Sequence, residues 1–188
     1  MRNPIHLIFE GAELAGKSWI MSQVYDHIEP KYNKNKVALD GCHWFNCDVG
    51  VYGTKHGKPI IKNYLKIFEE LKNKNLIIEK LHISDIIYNA LHRNKNINYQ
   101  TIEKKLKNLN FKIILITFPE DKKILKQRIK DRINIYPHYE RILRDPEWYI
   151  NQQKEYIKEI KKTSLPNLIV ETNKLPDNKP VDKILKWI

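Results

Sequence analysis

Residues 11–18 read Gly-x-x-x-x-Gly-Lys-Ser, and this segment constrains the fold more than any other part of the chain. An apolar run at residues 5–9 precedes it, and residues 19–25 after it can continue as a helix. A strand, a glycine-framed loop and a helix start, in that order, are the context that a phosphate-binding loop (P-loop) requires. The glycines let successive backbone N–H groups point inward, and the helix N-terminus adds its positive dipole end. The segment therefore predicts a nucleoside triphosphate site.

The residues of this loop have separate expected roles. Lys17 can reach the β- and γ-phosphates, and the Ser18 hydroxyl can bind Mg²⁺, the metal that accompanies ATP as phosphoryl donor. The residues that we expect to bind ATP in this part of the chain are Gly11, Ala12, Glu13, Leu14, Ala15, Gly16, Lys17, Ser18 and Trp19.

The charge of the chain leaves several partner classes open. The net charge is +12, which fits a nucleic-acid partner, a small polyphosphate substrate or a solvated surface. The lysines are scattered, whereas four of the six arginines fall between residues 128 and 144. No run of about eighteen apolar residues is present, and the N-terminus leads directly into the first apolar run. We therefore expect no membrane span and no signal peptide, and a cytoplasmic location.

Short apolar strands alternate with amphipathic helices along the chain. The predicted strands are 5–9, 36–40, 76–79, 111–118 and 167–171, and the predicted helices are 17–28, 60–74, 83–92, 99–109, 120–133, 146–163 and 180–188. This alternation predicts a single α/β domain over residues 1–188, a three-layer sandwich with about five parallel strands wrapped by helices. Ligands of such sheets collect at the carboxyl ends of the strands.

Charged residues follow one of these strands, and one predicted helix carries an arginine pair. Glu79 follows the apolar residues 76–78, where a carboxylate can hold Mg²⁺, and Lys80 comes next; a strand cap is the simpler alternative. Arg128 and Arg132 are four residues apart and share a helix face, which suits the charge of a phosphoryl group in transfer. A solvated helix is the alternative for this pair.

Residues 40–58 are the expected place for a second ligand. Four of the six glycines fall here, together with Trp44, Phe45 and Tyr52, whose rings can stack on a base or belong to the core. Asp40 ends the predicted second strand and can serve as a base toward a hydroxyl acceptor.

These motifs together resemble the thymidylate kinase-like branch of the P-loop nucleoside and nucleotide kinases. The matching segments are Phe9 to Ser18, Glu79 to Ser84 with Tyr88, Pro119-Glu120 leading to Arg128 and Arg132, and the late strand followed by Thr172 and Asn173. The resemblance implies a helical lid over about residues 120–145, with both arginines clamping phosphates, and an adenine site at Thr172 and Asn173. It also implies that Glu13 and Ser84 lie at the acceptor, that Lys80 takes the place of an arginine, and that the protein is a homodimer.

The function implied is ATP-dependent phosphoryl transfer to a nucleoside monophosphate, with dTMP as the expected acceptor. The Arg-Glu-Pro-Gly acceptor motif of that family is absent, and residues 40–44 stand in its place. Three alternatives stay open: a deoxynucleoside kinase with Asp40 as base, a kinase acting on nucleic acid ends or modified bases, and a P-loop switch protein.

Overall fold

The computed structural model describes residues 3–37, 40–174 and 176–188. The elements in chain order are β1 (His6–Glu10), α1 (Lys17–Tyr32), β2 (Cys42–Asn46), α2 (Gly57–Glu70), β3 (Asn75–Glu79), α3 (His82–Arg93), α4 (Gln100–Asn108), β4 (Lys112–Thr117), α5 (Lys122–Ile135), α6 (Pro146–Ile160), β5 (Asn167–Glu171) and α7 (Asn178–Trp187). A 3-10 helix, Pro137–Ile142, lies between α5 and α6.

The five strands form one parallel sheet in the order β2-β3-β1-β4-β5. The central strand β1 is buried along its whole length, as its continuous apolar run predicts. The chain fills the β3 side of β1 first and then crosses to the β4 side, so the sheet has its topological switch point beside β1. The loop after β1 therefore opens into the crevice where ligands of such sheets bind.

Helices cover both faces of the sheet, and neighbouring residues on β2 show the two layers. Trp44 packs toward Tyr25 of α1, with ring centroids 6.0 Å apart, whereas Phe45 meets Phe68 of α2 edge-on at 5.5 Å. Side chains alternate between the faces of a strand, so α1 and α2 lie on opposite faces. The predicted three-layer α/β architecture is confirmed.

The predicted second strand is in the wrong place. The strand is Cys42–Asn46, inside the segment predicted as a loop, whereas Lys36 has a left-handed φ of 55° and Asp40 lies in a turn. Ala38 and Leu39 of the predicted strand lie outside the described residues. The strand lies at the edge of the sheet, where only Cys42 is buried while Trp44 and Asn46 are exposed, so it lacks the continuous apolar run of the central strands.

The first helix also runs further than predicted, through Pro30 to Tyr32. Proline removes the backbone donor that the Asp26 carbonyl would otherwise receive, but the helix runs only two residues beyond it, and the Asn33 N–H still donates to the Glu29 carbonyl. None of the helices in the described ranges combines the length and hydropathy needed to cross a membrane.

Candidate active site

A cleft of about 1170 Å³ opens at the carboxyl edge of the sheet, between the P-loop and the segment that contains α5 and the 3-10 helix. Its lining includes Glu13, Leu14, Gly16, Lys17, Ser18, Trp19, Asp48, Glu79, Lys80, Arg128, Arg132, Tyr136, Tyr139, Asn173 and Lys174. The structure thus gathers residues of four separate predicted motifs around one space.

The backbone of the P-loop has the conformation that its glycines predict. Gly11 has a φ of 140°, and a Cβ built there would lie 2.3 Å from the carbonyl oxygen of Ile116, so this position requires glycine. Gly16 has a φ of 82° directly before α1. The loop therefore runs tightly between β1 and the start of α1, where an anion meets the helix N-terminus.

Lys17 is buried in the loop that precedes it. Its Nζ donates to the carbonyl oxygens of Gly11 at 2.8 Å and Ala12 at 2.9 Å. Burial, together with repulsion from Lys80, lowers the pKa of Lys17 to about 8. An arriving phosphate would offer this ammonium a full negative charge in place of two neutral carbonyl groups.

Ser18 and Glu79 come together as the sequence predicts for a magnesium site. The Ser18 hydroxyl donates to Glu79 Oε1 at 3.0 Å, so two oxygen donors face each other beside the P-loop. Mg²⁺ prefers oxygen ligands, and a protein usually supplies only one or two of them, while phosphates and waters supply the others. In the described part of the chain no three His, Cys, Asp or Glu side chains form a closed metal site. The pair therefore fits Mg²⁺ held jointly with a nucleotide.

Lys80 forms the centre of a polar cluster on the wall of the cleft beside the P-loop. It adopts a left-handed φ of 56°, and its Nζ contacts Asp48 Oδ2 at 2.5 Å and the Tyr88 hydroxyl at 3.5 Å. Tyr88 in turn donates to Glu13 Oε1 at 2.9 Å. Tyr88 and Asp48 raise the pKa of Lys80 above its ordinary value against the opposing effect of burial. The wall thus presents one ammonium among the carboxylates of Glu13 and Asp48.

The two arginines of α5 have different surroundings. Arg128 donates to backbone carbonyl oxygens: Nη1 to Leu14 at 2.8 Å, and Nη2 to Thr172 at 2.6 Å and Asn173 at 2.9 Å. The Arg132 guanidinium instead lies 4.1 Å from the ring centroid of Tyr139. The predicted shared helix face is present, yet in this state Arg128 is held by carbonyls and Arg132 by an aromatic ring.

Thr172 and Asn173 follow β5 directly and adjoin the P-loop. Thr172 is fully buried, and its hydroxyl lies 2.9 Å from the carbonyl oxygen of Ala15 and 3.0 Å from that of Thr117, so its single proton can be donated to either one. Asn173 lines the cleft. Their predicted role in binding the adenine of ATP stays a prediction; the structure supports it by placing both residues beside the P-loop.

Asp40 lies at the amino ends of the strands, whereas the role that the sequence suggested requires a position at their carboxyl ends. Its carboxylate pairs with Lys74 at 3.4 Å, immediately before β3, while Glu79 ends β3 at the other edge. The five residues of β2 separate it from the cleft, roughly 15 Å at the rise of a strand. The premise that Asp40 ends a strand is wrong because β2 begins after it. Asp48, which follows β2, occupies the expected position.

The other predicted acceptor residues contact the protein itself. Trp44 and Phe45 pack against α1 and α2, and neither is among the residues that line the cleft. Tyr52 is 7% exposed and donates to the Lys80 carbonyl at 3.3 Å. Ser84 is fully buried and donates to Glu10. These contacts are structural, and the acceptor roles of the four residues remain predictions without support from their placement.

Sequence reasoning missed Asp48 and Tyr139. Asp48 stands two residues after β2, so the signal that would have found it is the correct end of that strand. Tyr139 lies in the unpredicted 3-10 helix, where Pro137 at its start was the available clue.

The fold and this cleft define the class: the chain has the fold of the P-loop nucleoside and nucleotide kinases, which confirms the resemblance at the level of the fold. Similar solved structures include the YorR protein of Bacillus subtilis in complex with phosphorylated GDP, with a TM-score of 0.67, 13% identity and coverage of 96% of this chain and 94% of that one. Thymidylate kinase from Ehrlichia chaffeensis has a TM-score of 0.59, 12% identity and coverage of 99% and 98%. Deoxyadenosine kinase from M. mycoides, with dCMP and dCDP bound, has a TM-score of 0.56, 18% identity and coverage of 97% and 98%. No protein-family model matches the sequence, and no curated protein matches it.

Proposed function

We propose that this protein is an ATP-dependent kinase whose acceptor is a nucleoside monophosphate, with dTMP as the first candidate. The observation that carries the proposal is the cleft, in which the cations Lys17, Lys80 and Arg132 surround the P-loop opening. Phosphoryl transfer between two phosphates depends on positioning and charge neutralisation rather than on a strong base. The choice of dTMP follows the resemblance and the thymidylate kinase neighbour.

In this proposal each cation has a defined task. Lys17 leaves the carbonyls of Gly11 and Ala12 for the transferred phosphate, and Lys80 faces the acceptor phosphate. Mg²⁺ held by Ser18 and Glu79 would neutralise charge on the donor phosphates. Arg132 would leave Tyr139 and approach the phosphates from the lid.

A nucleoside kinase is the second candidate, and the position of Asp48 favours it. This carboxylate lines the cleft at the carboxyl end of β2, where a base toward a hydroxyl acceptor would be needed. One of the similar structures is a deoxyadenosine kinase, so the fold alone fits either acceptor.

The first experiment offers Mg·ATP with a panel of nucleosides, nucleoside monophosphates and a short oligonucleotide, and measures ADP and phosphorylated product. We expect a monophosphate, dTMP first, to give the fastest turnover. If no compound accelerates ADP formation over the rate without acceptor, the kinase proposal fails. Product from the oligonucleotide alone would instead assign the activity to nucleic acid.

The second experiment separates the two acceptor classes with Asp48→Asn and a matched control, Asp40→Asn. A general base contributes about 10²- to 10⁴-fold, so a nucleoside kinase would lose turnover by that factor on Asp48→Asn. A monophosphate kinase would lose less than about tenfold, and its KM for the acceptor would not rise, because Lys80 is released from its ion pair. Asp40→Asn should behave as the wild type in either case, since Asp40 lies at the opposite edge.

Light scattering in solution would check the homodimer that the resemblance implies, which we adopt as part of the proposal.

A further inference from the structure

The contacts of Arg128 indicate a different task from the phosphate clamp that the lid resemblance implies. Its two terminal nitrogens reach two separate loops: Nη1 contacts the carbonyl of Leu14 in the P-loop, and Nη2 contacts the carbonyls of Thr172 and Asn173 after β5. Arg128 forms no ion pair with a carboxylate in the described ranges. The guanidinium thus cross-links the two loops that meet at the donor side of the cleft.

A P-loop needs such outside donors for its carbonyl groups. Its N–H groups can point at a phosphate only if carbonyl groups point away from it, and buried carbonyls need partners. In the free protein the Lys17 ammonium donates to the carbonyl oxygens of Gly11 and Ala12, but it would leave them to bind a phosphate. The carbonyl groups of Leu14 and Ala15 have donors from outside the loop: the guanidinium of Arg128 for Leu14 and the hydroxyl of Thr172 for Ala15. These outside contacts do not depend on Lys17, so they can persist when a nucleotide is bound.

The conformation of Leu14 strengthens this reading. Leu14 has a left-handed φ of 63°, which a residue with a side chain adopts at a cost in energy. Such a conformation persists when its surroundings hold it in place. The bond from Arg128 to the Leu14 carbonyl, at 2.8 Å, supplies that hold.

We infer that Arg128 is a positioning residue that keeps the P-loop and the Thr172–Asn173 segment in their binding conformation before a nucleotide arrives. Arg132 is then the lid arginine that remains available for phosphate. The inference rests on the proposed function, because it assigns the two segments to one donor site. The forked guanidinium is essential, since the single ammonium of lysine does not reach both loops with two separate nitrogens.

The first test needs no ligand and no activity. Hydrogen exchange is measured at the Ala15 and Thr172 amides, which donate to Ala12 and Thr117, in wild type, Arg128→Lys and the control Arg141→Lys. Arg141 is exposed in the same segment. We expect Arg128→Lys to speed exchange at these two amides about tenfold or more while the amides of β3 stay protected. Unchanged exchange at both amides would overturn the inference, whether or not the protein is a kinase.

The second test measures binding of inorganic tripolyphosphate with Mg²⁺, which carries the phosphates of ATP without its base. Hydrogen bonds to a charged group correspond to about 10- to 100-fold in an equilibrium, so Arg128→Lys should weaken tripolyphosphate binding in this range. Arg132→Lys should leave binding within about threefold and lower the rate of transfer in a single turnover instead. If Arg128→Lys binds tripolyphosphate as the wild type does and loses only transfer rate, Arg128 is a phosphate clamp and the inference is wrong. If the wild type itself binds neither tripolyphosphate nor ATP, the proposed function fails, and the exchange experiment still decides the role of Arg128.

Discussion

Binding of ATP should be accompanied by proton uptake, because Lys17 is uncharged in a fraction of the free protein molecules. Burial and the nearby ammonium of Lys80 lower the pKa of Lys17 to about 8. At that pKa roughly nine-tenths of the molecules carry a charged Lys17 at pH 7 and roughly one-tenth at pH 9. A phosphate beside Nζ favours the charged form and raises the pKa again.

The sign and size of the effect follow from this difference. Below pH 8 the site is already charged and affinity changes little with pH. Above pH 8 each binding event must also protonate Lys17, so the affinity should fall about tenfold per pH unit until the pKa of the complex is reached. The thiols do not contribute, because burial raises the pKa of Cys42 to about 12 and that of Cys47 still further.

Calorimetry of ATP binding in two buffers with different ionisation enthalpies measures the proton count directly. We expect uptake of about 0.9 proton at pH 9 and about 0.1 at pH 7. Lys17→Arg is the control, because arginine stays charged and should bind ATP with little pH dependence. If the affinity for ATP changes by less than about twofold between pH 7.5 and 9.5, and the heat of binding does not depend on the buffer, the assigned environment of Lys17 is refuted.

Three further changes test other parts of the site. Lys17→Ala should abolish phosphoryl transfer while circular dichroism shows an intact fold, and retained turnover would contradict the P-loop assignment. Glu79→Gln should raise the Mg²⁺ concentration for half-maximal turnover by about tenfold, because the carboxylate that faces Ser18 loses its charge; an unchanged Mg²⁺ curve would remove Glu79 from the metal site. Ser84→Ala should lower the free energy of unfolding in urea by about 1–3 kcal/mol, because buried Glu10 loses a donor. Its acceptor KM should stay unchanged, and a raised KM with normal stability would restore the predicted acceptor role.

The P-loop side of the cleft could be predicted from sequence because its geometry is local. Gly11 to Ser18 are contiguous, and the positive φ angles of Gly11 and Gly16 are ones that glycine adopts readily. Glu79 could be placed because a buried apolar strand ends directly at it. A carboxylate at the carboxyl end of a neighbouring strand must then lie near the P-loop, as its bond from Ser18 confirms.

The acceptor half depends on where one edge strand begins and ends. An edge strand that is only partly buried has few apolar residues to mark it in the sequence. A shift of a few residues in its predicted position moves a carboxylate from the amino ends of the strands to their carboxyl ends. Because of that shift, the sequence predicted Asp40 as the carboxylate at the cleft, whereas the structure has Asp48 there. The contacts of Arg128 could not be predicted either, because its partners in the P-loop and after β5 are 114 and 44 residues away.

For the proposed kinase, the choice between an anionic and a neutral acceptor therefore depends on the charge on one wall of the cleft. Lys80 is already paired with Asp48, so an anionic acceptor must compete with that carboxylate for the same ammonium. A neutral acceptor has no such competitor and meets Asp48 as a base. Arg132 favours the anionic acceptor instead, because its guanidinium packs on the rings of Tyr139 and Tyr136 and can turn toward a second phosphate at little cost. The paired comparison of Asp48→Asn and Asp40→Asn decides between these two because it changes the charge beside Lys80 while leaving Arg132 in place.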